Sequence, residues 1–192
     1  MNLSNEIIDD FEENQKVCQD TLKKCKDQIQ EIGEVLANAL LRGNTIFWCG
    51  NGGSASDSNH LSTELVGRFK KNRKSLNSIS LCSDACLITC IANDFGYENI
   101  FSRQLEGLGK KGDILVAIST SGNSRNILNV LKIANKMDIK TISLLGKNGG
   151  DALSISELSI VVPSNKTARI QEQHLLLGHI FCEMIESILG LS

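Results

Sequence analysis

Residues 113–124 read Asp-Ile-Leu-Val-Ala-Ile-Ser-Thr-Ser-Gly-Asn-Ser, a continuous apolar run followed at once by a hydroxyl-rich loop. A strand with one wet face alternates apolar and polar residues. A run without that alternation belongs to a strand buried on both faces, the habit of parallel sheets covered by helices. Four other short runs share this character, at 45–49, 76–81, 140–145 and 158–162. Between and after them lie stretches with helical spacing, at 54–69, 83–91, 98–108, 124–137 and 167–189. The alternation predicts a three-layer α/β/α sandwich around a five-stranded parallel sheet. Ligands of such sheets bind beyond the carboxyl ends of the strands, which is where GNGGSAS (50–56), STSGNS (119–124) and LGKNGG (145–150) fall.

Upstream of the first strand, from Ser4 to Leu41, apolar residues recur at helical spacing: Ile7, Ile8, Phe11, Cys18, Leu22, Cys25, Ile29, Ile32, Leu36 and Leu40. This predicts one long helix, or two broken near Gly33. A helix of that length outruns what a small domain can cover, so part of its stripe is expected to face another subunit. The division expected is therefore one domain over 1–192, with a helical region at 1–42 in oligomer contacts and an α/β core at 43–192.

The chain has 192 residues, close to the ~100–200 expected of one domain, and a single proline with no low-complexity run argues against a linker. Its 20 Lys+Arg against 22 Asp+Glu leave a formal charge of −2, which gives no electrostatic reason to expect nucleic acid. The basic stretch from Arg68 to Lys74 is short. No run of 18 apolar residues exists, so no membrane span is expected, and the acidic N-terminus lacks a signal region, which predicts a cytoplasmic protein. Seven cysteines without a CxxC fit neither a disulfide framework nor a zinc motif. Cys82, Cys86 and Cys90 recur every fourth residue and are read as small buried side chains sharing one helical face.

The chemistry concentrates in four places. Gly50-Asn51-Gly52-Gly53-Ser54 follows a strand and opens a helix, so backbone N–H groups and the helix dipole can meet an anion there. It loosely matches a dinucleotide loop, but no acidic residue ends the second strand, and no GK[ST] makes it a P-loop. Ser119 to Ser124 offers four hydroxyls, one amide and a glycine, a composition that encircles phosphate without a charged side chain. His60 and Glu64 stand at i and i+4, a spacing that suits two ligands of one metal, or a ligand beside a general base. The last helix carries Arg169, Gln171, Glu172, His174 and His179. His174 reads as structural. Gln171 and His179 lie eight residues apart, about 12 Å along a straight helix and long for one ion. Either that helix begins irregularly near Gln171, or the ligands come from two copies of the chain.

Four motifs together, CGNGGSASDSNHLSTELVGRF (49–69), IANDFGYENIFSRQLEGLGKKGD (91–113), ISTSGNS (118–124) and TARIQEQHLLLGHI (167–180), closely resemble the phosphoheptose isomerases of the sugar-isomerase (SIS) domain superfamily. The resemblance covers essentially the whole chain. It implies a flavodoxin-like SIS fold and conversion of D-sedoheptulose 7-phosphate to D-glycero-D-manno-heptose 7-phosphate, the first step towards ADP-heptose for the lipopolysaccharide core. It also implies a homotetramer with active sites at subunit interfaces. The implied metal ligands are His60, Glu64, Gln171 and His179, holding one zinc per subunit, and the implied catalytic pair is Glu64 and His179. The implied substrate contacts are Asn51, Gly52, Gly53, Glu64, Asn93, Asp94, Ser119, Thr120, Ser121, Ser124 and Gln171. SASDSNH replaces the family's more frequent SAADAQH without removing a functional side chain. Two other readings compete: a non-catalytic SIS adaptor of the kind that binds the replication initiator DnaA, and an isomerase of another sugar phosphate. An adaptor has no need of His60, Glu64 and His179 together.

Overall fold

The structure, a computed structural model, describes residues 3–191. The chain runs α1 (Leu3–Leu41), β1 (Ile46–Gly50), α2 (Gly53–Val66), β2 (Ser78–Ser80), α3 (Ala85–Phe95), α4 (Ser102–Leu108), β3 (Ile114–Ser119), α5 (Arg125–Lys136), β4 (Lys140–Gly146), α6 (Ala152–Ile155), β5 (Leu158–Val162) and α7 (Thr167–Ile188). All strand pairs are parallel, in the order β2-β1-β3-β4-β5. The chain order therefore reverses between β1 and β3, and a crevice opens there beyond the strand ends.

Period-two alternation divides each strand between two apolar layers, and that is why the sequence shows unbroken runs. Ile46, Trp48, Ile114, Val116, Ile118, Ile142 and Leu144 pack under α1, α2 and α7. Phe47, Cys49, Leu115, Ala117 and Leu145 pack under the layer containing α3, α4, α5 and α6. The indole N–H of Trp48, wholly buried, donates to Ser78 Oγ at 2.9 Å.

The long N-terminal helix is unbroken. Gly33 does not interrupt it but admits α7: a Cβ there would stand 2.3 Å from the Met184 methyl. From Val17 onward one face of α1 is buried, whereas Leu3, Ile7, Ile8, Phe11 and Leu22 remain more than half exposed. The exposed N-terminal turns are tied to the start of α7 by Lys166–Glu13 and by Arg169, which pairs with Asp10 and Glu172.

Three expectations need correction. The helix expected at 98–108 divides into a short 3-10 turn at Tyr97–Asn99 and α4. Ile100 and Phe101, at the junction between the two, are both 2% exposed and lie in the same apolar layer as Leu105. The cysteine stripe is not one buried helical face. Asp84 caps α3 by accepting from Leu87 N–H, so Cys82 precedes the helix, and Cys86 and Cys90 are exposed. The strand expected at 76–81 shortens to Ser78–Ser80 because Leu76 N–H turns back to the Leu65 carbonyl.

Candidate active site

Strand order places the two loops side by side. Gly50 of β1 is in register with Ile118 of β3, so Asn51 and Ser119 both emerge at the crevice. Gly52 holds φ +57, which lets the chain turn from β1 into α2. Asn51 and Asn126 exchange side-chain amide bonds of 2.9 and 2.8 Å, joining the β1 turn to the first turn of α5. Tyr97 Oη donates to the same Asn51 carbonyl oxygen at 3.0 Å. Sequence reading singled out Asn51 but missed Asn126 and Tyr97. The available signal was Asn126, a polar residue on the buried side of an otherwise apolar helix face.

Ser119 is buried, and its Oγ accepts from Gly122 N–H at 3.1 Å; Ser121 Oγ accepts from Asn123 N–H. Ser124 stands at the N-cap of α5 with its hydroxyl free of any capping bond, and Thr120 is half-buried beside it. The loop is braced by residues 149–152. Gly122 carbonyl accepts from Ala152 N–H, Asn123 Oδ1 accepts from Asp151 N–H, and a Cβ on Gly122 would lie 1.8 Å from the Gly149 carbonyl oxygen. The third glycine-bearing loop thus supports the second.

One turn of α2 and the middle of α7 bring three donors together. His60 Nε2 and His179 Nε2 are 2.9 Å apart, and His60 Nε2 is 3.5 Å from Glu64 Oε1. One ligand atom from each residue lies within 4.8 Å of the others. Two imidazole nitrogens aimed at the same point share one proton or one cation. Around a tetrahedral zinc, bonds of about 2.0–2.1 Å would hold neighbouring ligand atoms about 3.4 Å apart, a small opening from the geometry seen. The donor set therefore fits a divalent cation. Phe69 stacks on the His179 ring, centroids 5.7 Å apart and planes 24° apart. Asp57, one turn before His60, has a buried Oδ2 without a hydrogen-bond partner. Burial pushes its carboxyl up, and the nearby His60 and His179 pull the other way. It too was missed, although its spacing from His60 was readable.

The remaining expected residues divide. Gln171 lies against the glycine turn: a Cβ on Gly53 would be 2.6 Å from its amide nitrogen. Because α7 is continuous from Thr167, the irregular start that would lower Gln171 towards His179 is absent. Asn93 and Asp94 sit exposed at the end of α3, where they bond to each other and Asp94 meets Cys90 Sγ. His174 is structural: wholly buried, it donates from Nε2 to the Leu145 carbonyl, and burial pulls its pKa down to about 4.

Comparison with known proteins follows the same lines. The SIS domain family matches residues 11–146. The phosphoheptose isomerase of Akkermansia muciniphila is 48% identical over 82% of this chain and 84% of that protein. The structure of a phosphoheptose isomerase from Francisella tularensis superposes with a TM-score of 0.94 at 32% identity, covering 97% of this chain and all of the other. That from Neisseria gonorrhoeae gives 0.92 at 35% identity with the same coverage. With a family match over most of its length, a relative 48% identical over four-fifths of it and two solved structures that superpose along nearly all of it, the chain belongs to the phosphoheptose isomerase family of SIS-domain proteins.

Proposed function

We infer that this protein is an aldose-ketose isomerase, an intramolecular oxidoreductase converting D-sedoheptulose 7-phosphate to D-glycero-D-manno-heptose 7-phosphate for ADP-heptose and lipopolysaccharide core synthesis. The observation that carries the mechanism is the course of two helices. Both α2 and α7 run from the glycine turn, where Gln171 meets Gly53, to the cluster where His179 meets His60. Gly53 and His60 are about 10 Å apart along α2. A phosphate at one end and a reacting carbonyl at the other is what an elongated sugar phosphate requires.

Ser119, Thr120, Ser121 and Ser124, with the N-termini of α5 and α2 and the turn Asn51-Gly52-Gly53, bind the phosphate and orient the chain. Gln171, Asn93 and Asp94 take sugar hydroxyls. Glu64 removes the C1 proton of the ketose to give an enediolate, and the proton returns at C2; His179 moves protons on the oxygens. His60, Glu64 and His179 would hold one zinc per subunit, with Gln171, supplied by a second copy of the chain, as the fourth ligand. When bound, the ion supplies Lewis-acid stabilisation of negative charge on oxygen. A carboxylate held tightly by a metal would be a weaker base than a free one, so Glu64 would act as base most effectively when not held tightly.

The reading takes residues 1–192 as one SIS domain that assembles as a homotetramer, its sites at subunit interfaces. The exposed apolar residues Leu3, Ile7, Ile8, Phe11 and Leu22 of α1 support that assembly. Seven free thiols suit a reducing cytoplasm. The test is proton NMR in deuterated water with sedoheptulose 7-phosphate. Wild type should place deuterium at C2 of the aldose, while Glu64→Gln should leave the ketose unchanged. Near-normal turnover by Glu64→Gln would remove Glu64 as the base. Silence of wild type, even with zinc, would favour another sugar phosphate or a DnaA-type adaptor.

A further inference from the structure

The basic run Arg68 to Lys74, unremarkable as sequence, contains one side chain that is not on the surface. Arg73 and Glu186 form an ion pair at 2.8 Å, and each side chain is only 2% exposed. Arg73 spends its other donors on the end of α2, giving Nη2 to the Glu64 carbonyl at 2.8 Å and Nη1 to the Leu65 carbonyl at 2.9 Å. Glu186 accepts, besides Arg73, the backbone N–H groups of Phe69 and Lys70. Burial raises its carboxyl pKa, but Arg73 and the two amides outweigh that and hold it below the usual carboxylate range.

One buried pair thus fixes three things at once. It fastens the turn of α2 that carries Glu64, it anchors to α7 two turns beyond His179, and it suspends the 67–74 loop so that Phe69 lies flat on the His179 ring. Helix ends ordinarily fray and their last carbonyls look to solvent. Here the last turn of α2 is closed by a guanidinium whose charge is met on a second helix. A planar fork that reaches two carbonyls and a carboxylate together is something arginine supplies and lysine does not.

We propose that Arg73 and Glu186 are positioning residues for the isomerase site, setting the mutual geometry of Glu64, His60 and His179 through the α2 end and the Phe69 stack. This inference rests on the isomerase reading for its kinetic consequence, but not for its structural one.

The chain has only three histidines, so their ring signals in a long-range proton–nitrogen spectrum report on the proposal directly. His60 and His179 report the site, and His174, buried against Leu145, reports the core independently. In Arg73→Lys, the His60 and His179 signals should move while His174 stays, with kcat down at least tenfold and KM within about threefold. In Phe69→Leu, which leaves the ion pair and both amide bonds to Glu186 in place, His179 should lose the ring-current shift from Phe69 and kcat should fall severalfold. Unmoved His60 and His179 signals in folded Arg73→Lys, or kcat within twofold of wild type, would overturn the proposal. Should Arg73→Lys disturb His174 as well, Phe69→Leu decides: an unchanged His179 signal or unchanged kcat overturns it. Should wild type fail to turn over sedoheptulose 7-phosphate, the isomerase reading falls and the histidine spectra alone decide the positioning role.

Discussion

Gly122→Ala is the substitution whose effect the geometry fixes most closely. Gly122 holds φ +67, a conformation that costs a residue with a side chain about 1–3 kcal/mol. The added Cβ would also lie 1.8 Å from the Gly149 carbonyl oxygen, so the two loops must part by more than an ångström. Gly43→Ala is the matched control. It has φ +81 and nothing within 4 Å, so it should pay the conformational cost alone, at the opposite end of the sheet. Gly43→Ala should then lose about 1 kcal/mol in urea unfolding and leave kcat and KM unchanged. Gly122→Ala should lose more, and because the phosphate loop moves off its brace it should also lose one or two hydrogen bonds to a charged group. At about 1.5–3 kcal/mol for each such bond, KM should rise between roughly tenfold and a hundredfold or more. A Gly122→Ala protein with wild-type KM, and no less stable than Gly43→Ala, would refute the idea that loop 149–152 holds the phosphate loop in shape.

Ser78→Ala leaves the buried Trp48 N–H without its acceptor and should cost about 1–3 kcal/mol in urea unfolding, with kcat unchanged. Folded His174 resists protonation down to about pH 4, whereas the unfolded imidazole takes up a proton near its ordinary 6.5. Stability is therefore complete above pH 6.5 and should fall by about 1.4 kcal/mol per unit towards pH 4, or about 2 kcal/mol at pH 5; His174→Gln should lack that slope in urea titrations. Zinc added to chelator-stripped protein at a hundred times its Kd should stabilise it by about 2.7 kcal/mol in the same assay, and His60→Ala should show little of that gain.

Much of the fold was legible because strands buried on both faces leave short unbroken apolar runs such as Ile114–Ser119, with a loop of hydroxyls and glycine immediately after. Segments failed where the determinant was not periodic. α6 has four residues, too few for a helical pattern to exist. The helix expected at 98–108 splits after a 3-10 turn at Tyr97–Asn99, a break that the apolar spacing does not mark. Cys82, Cys86 and Cys90 have helical spacing, but spacing cannot say that Asp84 starts the helix between the first and the second.

The site shows the same boundary more sharply. His60 and Glu64 were legible because they share one helix, so their proximity follows from local geometry alone. His179 joins them only because α7 lies beside α2, and Asn126 meets Asn51 only because β3, third strand in the chain, pairs directly with β1. The Arg73–Glu186 pair is the extreme case, since a basic run of seven residues gives no sign that one of its members is withdrawn from water. Charge patterns report what a surface can do in solvent; a buried charge is set by a partner more than a hundred residues away. Groups that act on substrate are thus readable where chemistry demands a rare residue at a local spacing. Groups that hold them in place are made of common residues, and only the packed chain shows which arginine is doing the holding.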